Sequence, residues 1–387
     1  MENKKERKLK MEKNKRKLIK IIVISVIIVI ILAIVGGVII KNNMNEDTLD
    51  DNNNVSVKKE KTTKKDKKEN KEPEVKIVKN EAQNIKLEDF DNGLVSMKIP
   101  KGWKVDTVGD YIHYTVKVYN PENPTYQFFF NMKTEAYNKS QDAKSFYQRY
   151  YPNEIFAKNP VIEEETTEGF YKIFNEMGIL NNTASFTFPT LSNFKLIENL
   201  GSAPMGGDLL RASFTDENGK EGEGIFTAYV YDAGSYYMNE NIISGKQIDT
   251  YPLSVHNTVF ITAQKDELID WEDTLNQISS SLQFSDTFIS QYNNQQDAVM
   301  TTFQNIRSIG NQTSDMIMSA WESRSAAYDR MSQKQSDAIL GYERVYDTEN
   351  GEIYKAYNGF TDDYTGERYK SISDDMYTKP TDGYIEK

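Results

Sequence analysis

The chain has 387 residues, room for one large or two modest domains, with 38% hydrophobic residues and a formal net charge of −11. Residues 81–387 carry 26 basic against 46 acidic side chains, and a body that acidic repels phosphate backbones, which excludes nucleic acid as its partner. The absence of Cys excludes disulfides and a lipoprotein anchor, and with only His113 and His256 a zinc site would need carboxylate-heavy ligation.

Residues 1–20 hold ten Lys/Arg against three Asp/Glu, and Ile21 to Ile40 follow as twenty residues without a charge. At about 1.5 Å per residue that run spans a ~30 Å hydrocarbon core, so a transmembrane helix in the lipid bilayer is expected over 21–40. The run is longer than the apolar part of a signal peptide, and no small-residue cleavage site follows it. Lys41 alone follows before Glu46, Asp47, Asp50 and Asp51, so the positive-inside rule places a basic tail (1–20) in the cytoplasm and the rest outside the cell. Residues 41–80 are polar and mixed in charge. They bury too little to offset ordering entropy and read as a disordered stalk.

From residue 81 to 285 the pattern becomes β-rich. "GLVSMKIPKGWKV" alternates and turns at Pro100–Gly102; "YIHYTVKVYN" sets Ile112, Tyr114, Val116 and Val118 on one face, leaving His113 on the surface; "TYQFFFNMKT" and "NTVFITA" are further strands. A helix capped by Ser140 and ended by Pro152 is expected, and Asn218–Gly219 marks a hairpin. Leu268, Trp271, Leu275, Ile278 and Leu282 form the apolar stripe of a helix that covers one sheet face. Residues 286–340 read as one or two helices hinged at Gly310, with a weak apolar series including Phe288, Tyr292, Met316 and Trp321, packed on the preceding domain or on another copy. In 341–387, Asn350–Gly351 tips a second hairpin among many tyrosines. The expected fold class is α+β: an N-terminal transmembrane helix, an antiparallel sheet with covering helices, a helical segment and a small Tyr-rich β-hairpin module.

No chemistry-bearing motif emerges. There is no G-x-S-x-G, Ser192 and Lys195 lack the companion motifs of S-x-x-K enzymes, and Gly206–Gly207 belong to no phosphate loop. Runs such as Glu163–Glu165 and Asp362–Asp363 read as solvated faces. No catalytic residues, metal site or cofactor are expected. Tyr346, Tyr354, Tyr357, Tyr364 and Tyr369 either form the core of the last module or line a surface for cell-wall glycan or an envelope protein.

Two motifs carry a resemblance. "IPKGW" near the start and "FITAQKDELIDWEDTLNQISSSLQF" at the end of residues 86–285 resemble small anchored domains with a PsbP/Mog1-like fold, found in many bacterial surface proteins. "GYERVYDTENGEIYKAYNGF" and "DDMYTKPTDGYIEK" resemble the C-termini of membrane-anchored proteins of low-GC Gram-positive bacteria. The resemblance implies a noncatalytic binding or accessory role at the cell envelope and supplies no catalytic residues. The alternatives are an envelope hydrolase using carboxylates and a structural subunit forming homo-oligomers.

Overall fold

The computed structural model describes residues 73–241, 244–296 and 309–387. The basic tail, the twenty-residue apolar run and the stalk up to residue 72 lie outside the described residues. No described helix is long and apolar enough to cross a membrane. The fold is α+β, and Asn70–Lys387 form one compact unit.

In chain order the strands are β1 (Ile77–Lys79), β2 (Leu87–Asp91), β3 (Val95–Pro100), β4 (Lys104–Val108), β5 (Thr115–Tyr119), β6 (Gln127–Tyr137), β7 (Ser192–Ser202), β8 (Asp208–Thr215), β9 (Glu221–Asp232), β10 (Tyr237–Asn239), β11 (Gln247–Asp249), β12 (Leu253–Gln264), β13 (Gln283–Phe284), β14 (Tyr342–Asp347), β15 (Ile353–Tyr357), β16 (Tyr369–Ser371) and β17 (Gly383–Ile385). The helices are α1 (Glu81–Asn84), α2 (Gln141–Tyr150), α3 (Ile155–Lys158), α4 (Thr167–Lys172), α5 (Phe174–Asn181), α6 (Glu272–Ser280), α7 (Asp286–Gln296), α8 (Ile309–Ser323), α9 (Ala326–Leu340) and α10 (Phe360–Asp363).

The main sheet is antiparallel throughout, in the order β4-β5-β6-β12-β9-β8-β7: two three-stranded meanders joined by the late strand β12. Both of its faces are covered, which corrects the expectation that helices lie on one side. Phe128, Phe129 and Phe130 are consecutive and fully buried, so successive side chains on β6 enter opposite cores. One core packs Phe128, Phe130, Val259 and Ile261 under α6 (Leu275, Ile278), α7 (Phe288, Tyr292) and α8 (Met316, Trp321). The other packs Phe129, Phe226 and Phe260 under α4 and α5 (Phe170, Tyr171, Phe174). There Phe129 stacks on Phe260 at 4.8 Å between ring centroids.

Local signals behave as their chemistry dictates. Ser140 Oγ accepts from Ala143 N to cap α2, and Gly219 (φ +77°) and Gly351 (φ +83°) take the left-handed conformation their hairpin turns need. Two expectations, the full-length helix at Leu268–Leu282 and a stalk reaching residue 80, need correction. The turn expected at Pro100–Gly102 forms, with Trp103 N donating to Pro100 O at 3.0 Å, and it passes the chain from β3, in a small sheet ordered β13-β3-β2, to β4 at the edge of the main sheet. The apolar stripe at Leu268–Leu282 is buried as a set, but only Glu272–Ser280 is helical, because Asp270 and Trp271 donate three residues back in a tighter turn. The hinge expected at Gly310 falls at the second residue of α8, next to residues 297–308, which lie outside the described residues; a break is seen after α8, where Ser325 Oγ caps α9 by accepting from Tyr328 N. The stalk is not disordered through residue 80: Ile77–Lys79 pair with Gly383–Ile385, because Val75 and Ile77 supply apolar side chains to the last sheet, ordered β1-β17-β15-β14-β16.

Candidate functional site

Along one face of β6 the side chains change from Phe129 to Asn131, Lys133 and Glu135, so the aromatic core gives way to a polar cluster at the sheet end. Two β-bulges frame it. The register of β12 against β6 slips at Leu253/Ser254 beside Ala136 (φ +69°), and against β9 between His256 and Val259, where Asn257 has φ +52°. Non-glycine residues in the left-handed region are costly, and bulges re-aim side chains next to binding sites. Each distortion is held in place. Asn159 Nδ2 donates to the carbonyls of Glu135 and Ala136 at 3.2 and 3.1 Å, and Tyr171 Oη donates to those of Thr227 and Val259 at 2.9 and 3.2 Å.

His113 enters from the turn before β5 and is half-buried, not on the outer face of a strand as expected. Gly109 (φ +99°) makes that turn: a Cβ there would come within 2.4 Å of the His113 carbonyl oxygen. The imidazole is held by two carboxylates, with Nδ1 2.9 Å from Asp110 Oδ1 and Nε2 3.4 Å from Glu135 Oε1. Lys133 Nζ lies 2.5 Å from Glu135 Oε2, and His256 sits opposite Lys133 in register, its Nε2 2.9 Å from Ser254 Oγ. The β12 insertion thus brings into one cluster two histidines that are 143 positions apart in sequence.

Their environments push the two imidazoles in opposite directions. The Glu135 hydrogen bond, helped by Asp110 against the effect of burial, raises His113. Burial, reinforced by the Lys133 charge, holds His256 down at about 4. Glu135, bonded by His113 and Lys133, falls to about 2. His256 therefore contributes stability that is complete above its ordinary 6.5 and is lost as pH falls toward 4; His113 contributes stability present below 6.5 and lost as pH rises through its raised value. We expect the loss from His256 to approach about 3 kcal/mol. Denaturant midpoints measured across this window should flatten in His256→Phe, and an unchanged slope would contradict the assignment.

A cleft of about 290 Å³ opens on the cluster, lined by His113, Asn131 and Lys133 on its polar side and by Ile155, Met177 and Phe188 on its apolar side. Asn131 is only 2% exposed; its Nδ2 donates to Thr115 Oγ1 at 2.7 Å, whereas the buried Oδ1 has no hydrogen-bond partner among the described residues. A buried polar atom without a partner is costly unless something supplies one. A second cleft, of about 350 Å³, surrounds Lys117. There the lysine lies over the rings of Tyr119 and Phe186 and donates to Thr187 O at 2.6 Å, so the protein's own side chain occupies the aromatic surface.

No family model matches the chain, and no curated protein is similar to it.

Both nitrogens of His113 are committed to carboxylates, and Glu135 also bonds Lys133. The five tyrosines singled out from sequence lie elsewhere. Tyr354 and Tyr369 are buried in the core of the last sheet and present no face to a ligand; Tyr357 and Tyr364 pack on that core, and Tyr346 is half-buried. Asn131 and Glu135 were not singled out, although the step from "FFF" to Asn, Lys and Glu at alternate positions carried a signal. Among the described residues no group of three His, Cys, Asp or Glu is placed to hold a metal ion.

Proposed function

We propose that this is a noncatalytic, single-pass protein of the cell envelope, anchored by Ile21–Ile40 with its N-terminus in the cytoplasm, whose exported α+β body binds a small ligand in the His113–Asn131 cleft. The observation that carries the binding reading is the cleft of about 290 Å³ lined both by His113, Asn131 and Lys133 and by Ile155, Met177 and Phe188. Such a site suits a small molecule with an apolar body and a polar end. His113, held between Asp110 and Glu135, orients the polar wall. The PsbP/Mog1-like resemblance points to the same noncatalytic class.

The sequence of charges around the apolar run supports the topology: ten Lys/Arg precede it and acidic residues follow. External protease applied to intact cells should remove the body, while a high-salt wash should leave the full chain in the membrane. Release by salt, or complete protection from the protease, would overturn the anchored reading.

A further inference from the structure

On β5, Val116 and Val118 enter the core under α6, so Lys117 and Tyr119 lie on the opposite face of the sheet, where Asp106 of β4 stands beside Lys117 in register. Residues 182–191 form neither helix nor strand, and they bring Phe186 and the Thr187 carbonyl to the same place.

The Lys117 ammonium is thereby enclosed as a bound cation would be. It lies 4.6 Å from the ring centroid of Tyr119 and 5.3 Å from that of Phe186, donates to Thr187 O at 2.6 Å and keeps 3.7 Å from Asp106 Oδ2, with 12% of its side chain exposed. Two aromatic faces, a carbonyl and a carboxylate make a cage that recognises an alkylammonium. The cage does not close on its lysine: the cleft of about 350 Å³ opens beside it.

The charges of that cleft select its occupant. Asp106, Asp216 and Glu217 line it against Lys117 alone, three negative groups to one positive. Asp216 is buried and already accepts from Thr125 Oγ1 and from the backbone N–H groups of Asn218 and Lys220, so it supplies field rather than a bond. Asp106 and Glu217 are more open. An anion is repelled here, and an uncharged molecule leaves the surplus unanswered. A short aliphatic chain with an ammonium at each end satisfies both parts of the cleft, one end between the two rings and the other at the open carboxylates. Burial also holds Lys117 below the usual lysine range, so its charge gains by returning to water when another ammonium takes its place. We propose that this cleft is a binding site for small aliphatic diamines, with Lys117 as a resident ammonium that the ligand displaces. It shares no lining residue with the His113 cleft and does not depend on it.

The test is titration of the full chain, in detergent, with butane-1,4-diamine, read by calorimetry and by the ε-CH2 resonances of 13C-labelled lysine, with butan-1-ol as the uncharged control. The parent should bind the diamine, more weakly as salt is raised, and ignore the alcohol. The Lys117 ε-CH2 signal, identified by its loss in Lys117→Arg, should move from a ring-shifted position toward that of exposed lysines as the ammonium leaves the rings. Lys117→Met, which empties the cage, should bind the diamine at least about tenfold more tightly. The lysine signal is read on the parent and needs no variant beyond its assignment. No binding by the parent, equal binding of the alcohol, an unmoved Lys117 signal at saturation, or no gain in a Lys117→Met chain of parental melting would each overturn the proposal.

Discussion

Arg211→Met is expected to destabilise the body by about 3–5 kcal/mol, because it strands the buried Glu223 carboxylate and removes one of the two guanidinium partners of Asp329. Arg211, on β8, donates through Nε and Nη2 to Glu223 Oε1 of β9 at 3.0 and 2.6 Å, and through Nη1 to Asp329 of α9. Asp329 Oδ2 lies 2.8 Å from Arg324 Nε, and Arg324 Nη1 lies 3.1 Å from Glu272 of α6. One charge network therefore ties α9 and α6 to the main sheet. Burial pushes Glu223 up against the opposing pull of Arg211, so without that guanidinium the carboxyl rises further. A raised carboxyl costs stability as pH increases, so the loss should be greatest near neutral pH and shrink in acid. Glu223→Gln added to Arg211→Met should recover part of it. Urea midpoints measured at neutral and acid pH decide the matter, and a single variant within about 1 kcal/mol of the parent at neutral pH would show that the network contributes little.

The parts of this fold that were legible in the sequence are those decided within a few residues. Ser140 caps a helix by its own hydroxyl, and Asn218–Gly219 and Asn350–Gly351 carry turn chemistry that almost fixes the hairpin. The stripe from Leu268 to Leu282 reports its buried face through spacing alone, even though its ends, before Glu272 and after Ser280, are not helix. What escaped depends on distant pairing. Nothing local says that β12 slides between β6 and β9, yet that insertion buries the second face of the sheet and carries His256 to Lys133. The bulges at Ala136 and Asn257 are equally hidden, since neither residue type demands a left-handed backbone. The candidate cleft is thus a product of topology, and a reading by motif had no purchase on it. The tyrosines show the same limit: their number was visible, but which were rings of a core and which were open could be settled only by the contacts around them.

Tyr354→Ser should loosen the whole of residues 341–387 to proteolysis, at a cost of about 3–5 kcal/mol for the lost ring. Tyr354 is 1% exposed on β15, and it shares a small core with Val345, Ala356, Phe360, Tyr369 and Ile385, where little else can compensate. Its hydroxyl bonds Glu352 and accepts from Lys79 Nζ at 3.2 Å, which reaches across from β1. Tyr346, half-buried at the same strand pair, should cost only about 1 kcal/mol when replaced by Ser. Because β1 closes this sheet through Ile77↔Ile385 and Lys79↔Gly383, a chain starting at Asn80 should reproduce the Tyr354→Ser phenotype with every tyrosine intact. Limited proteolysis read by mass spectrometry separates the cases. Cleavage inside 341–387 in both the Tyr354→Ser and the shortened chain, with the Tyr346→Ser variant resistant, identifies the ring as core and β1 as its closing strand. Resistance of Tyr354→Ser would instead mean that the sheet is held chiefly by its docking onto the body, where Thr381 N donates to Asp270 Oδ1 at 2.6 Å and Arg344 Nε to Asp337 Oδ2 at 2.6 Å.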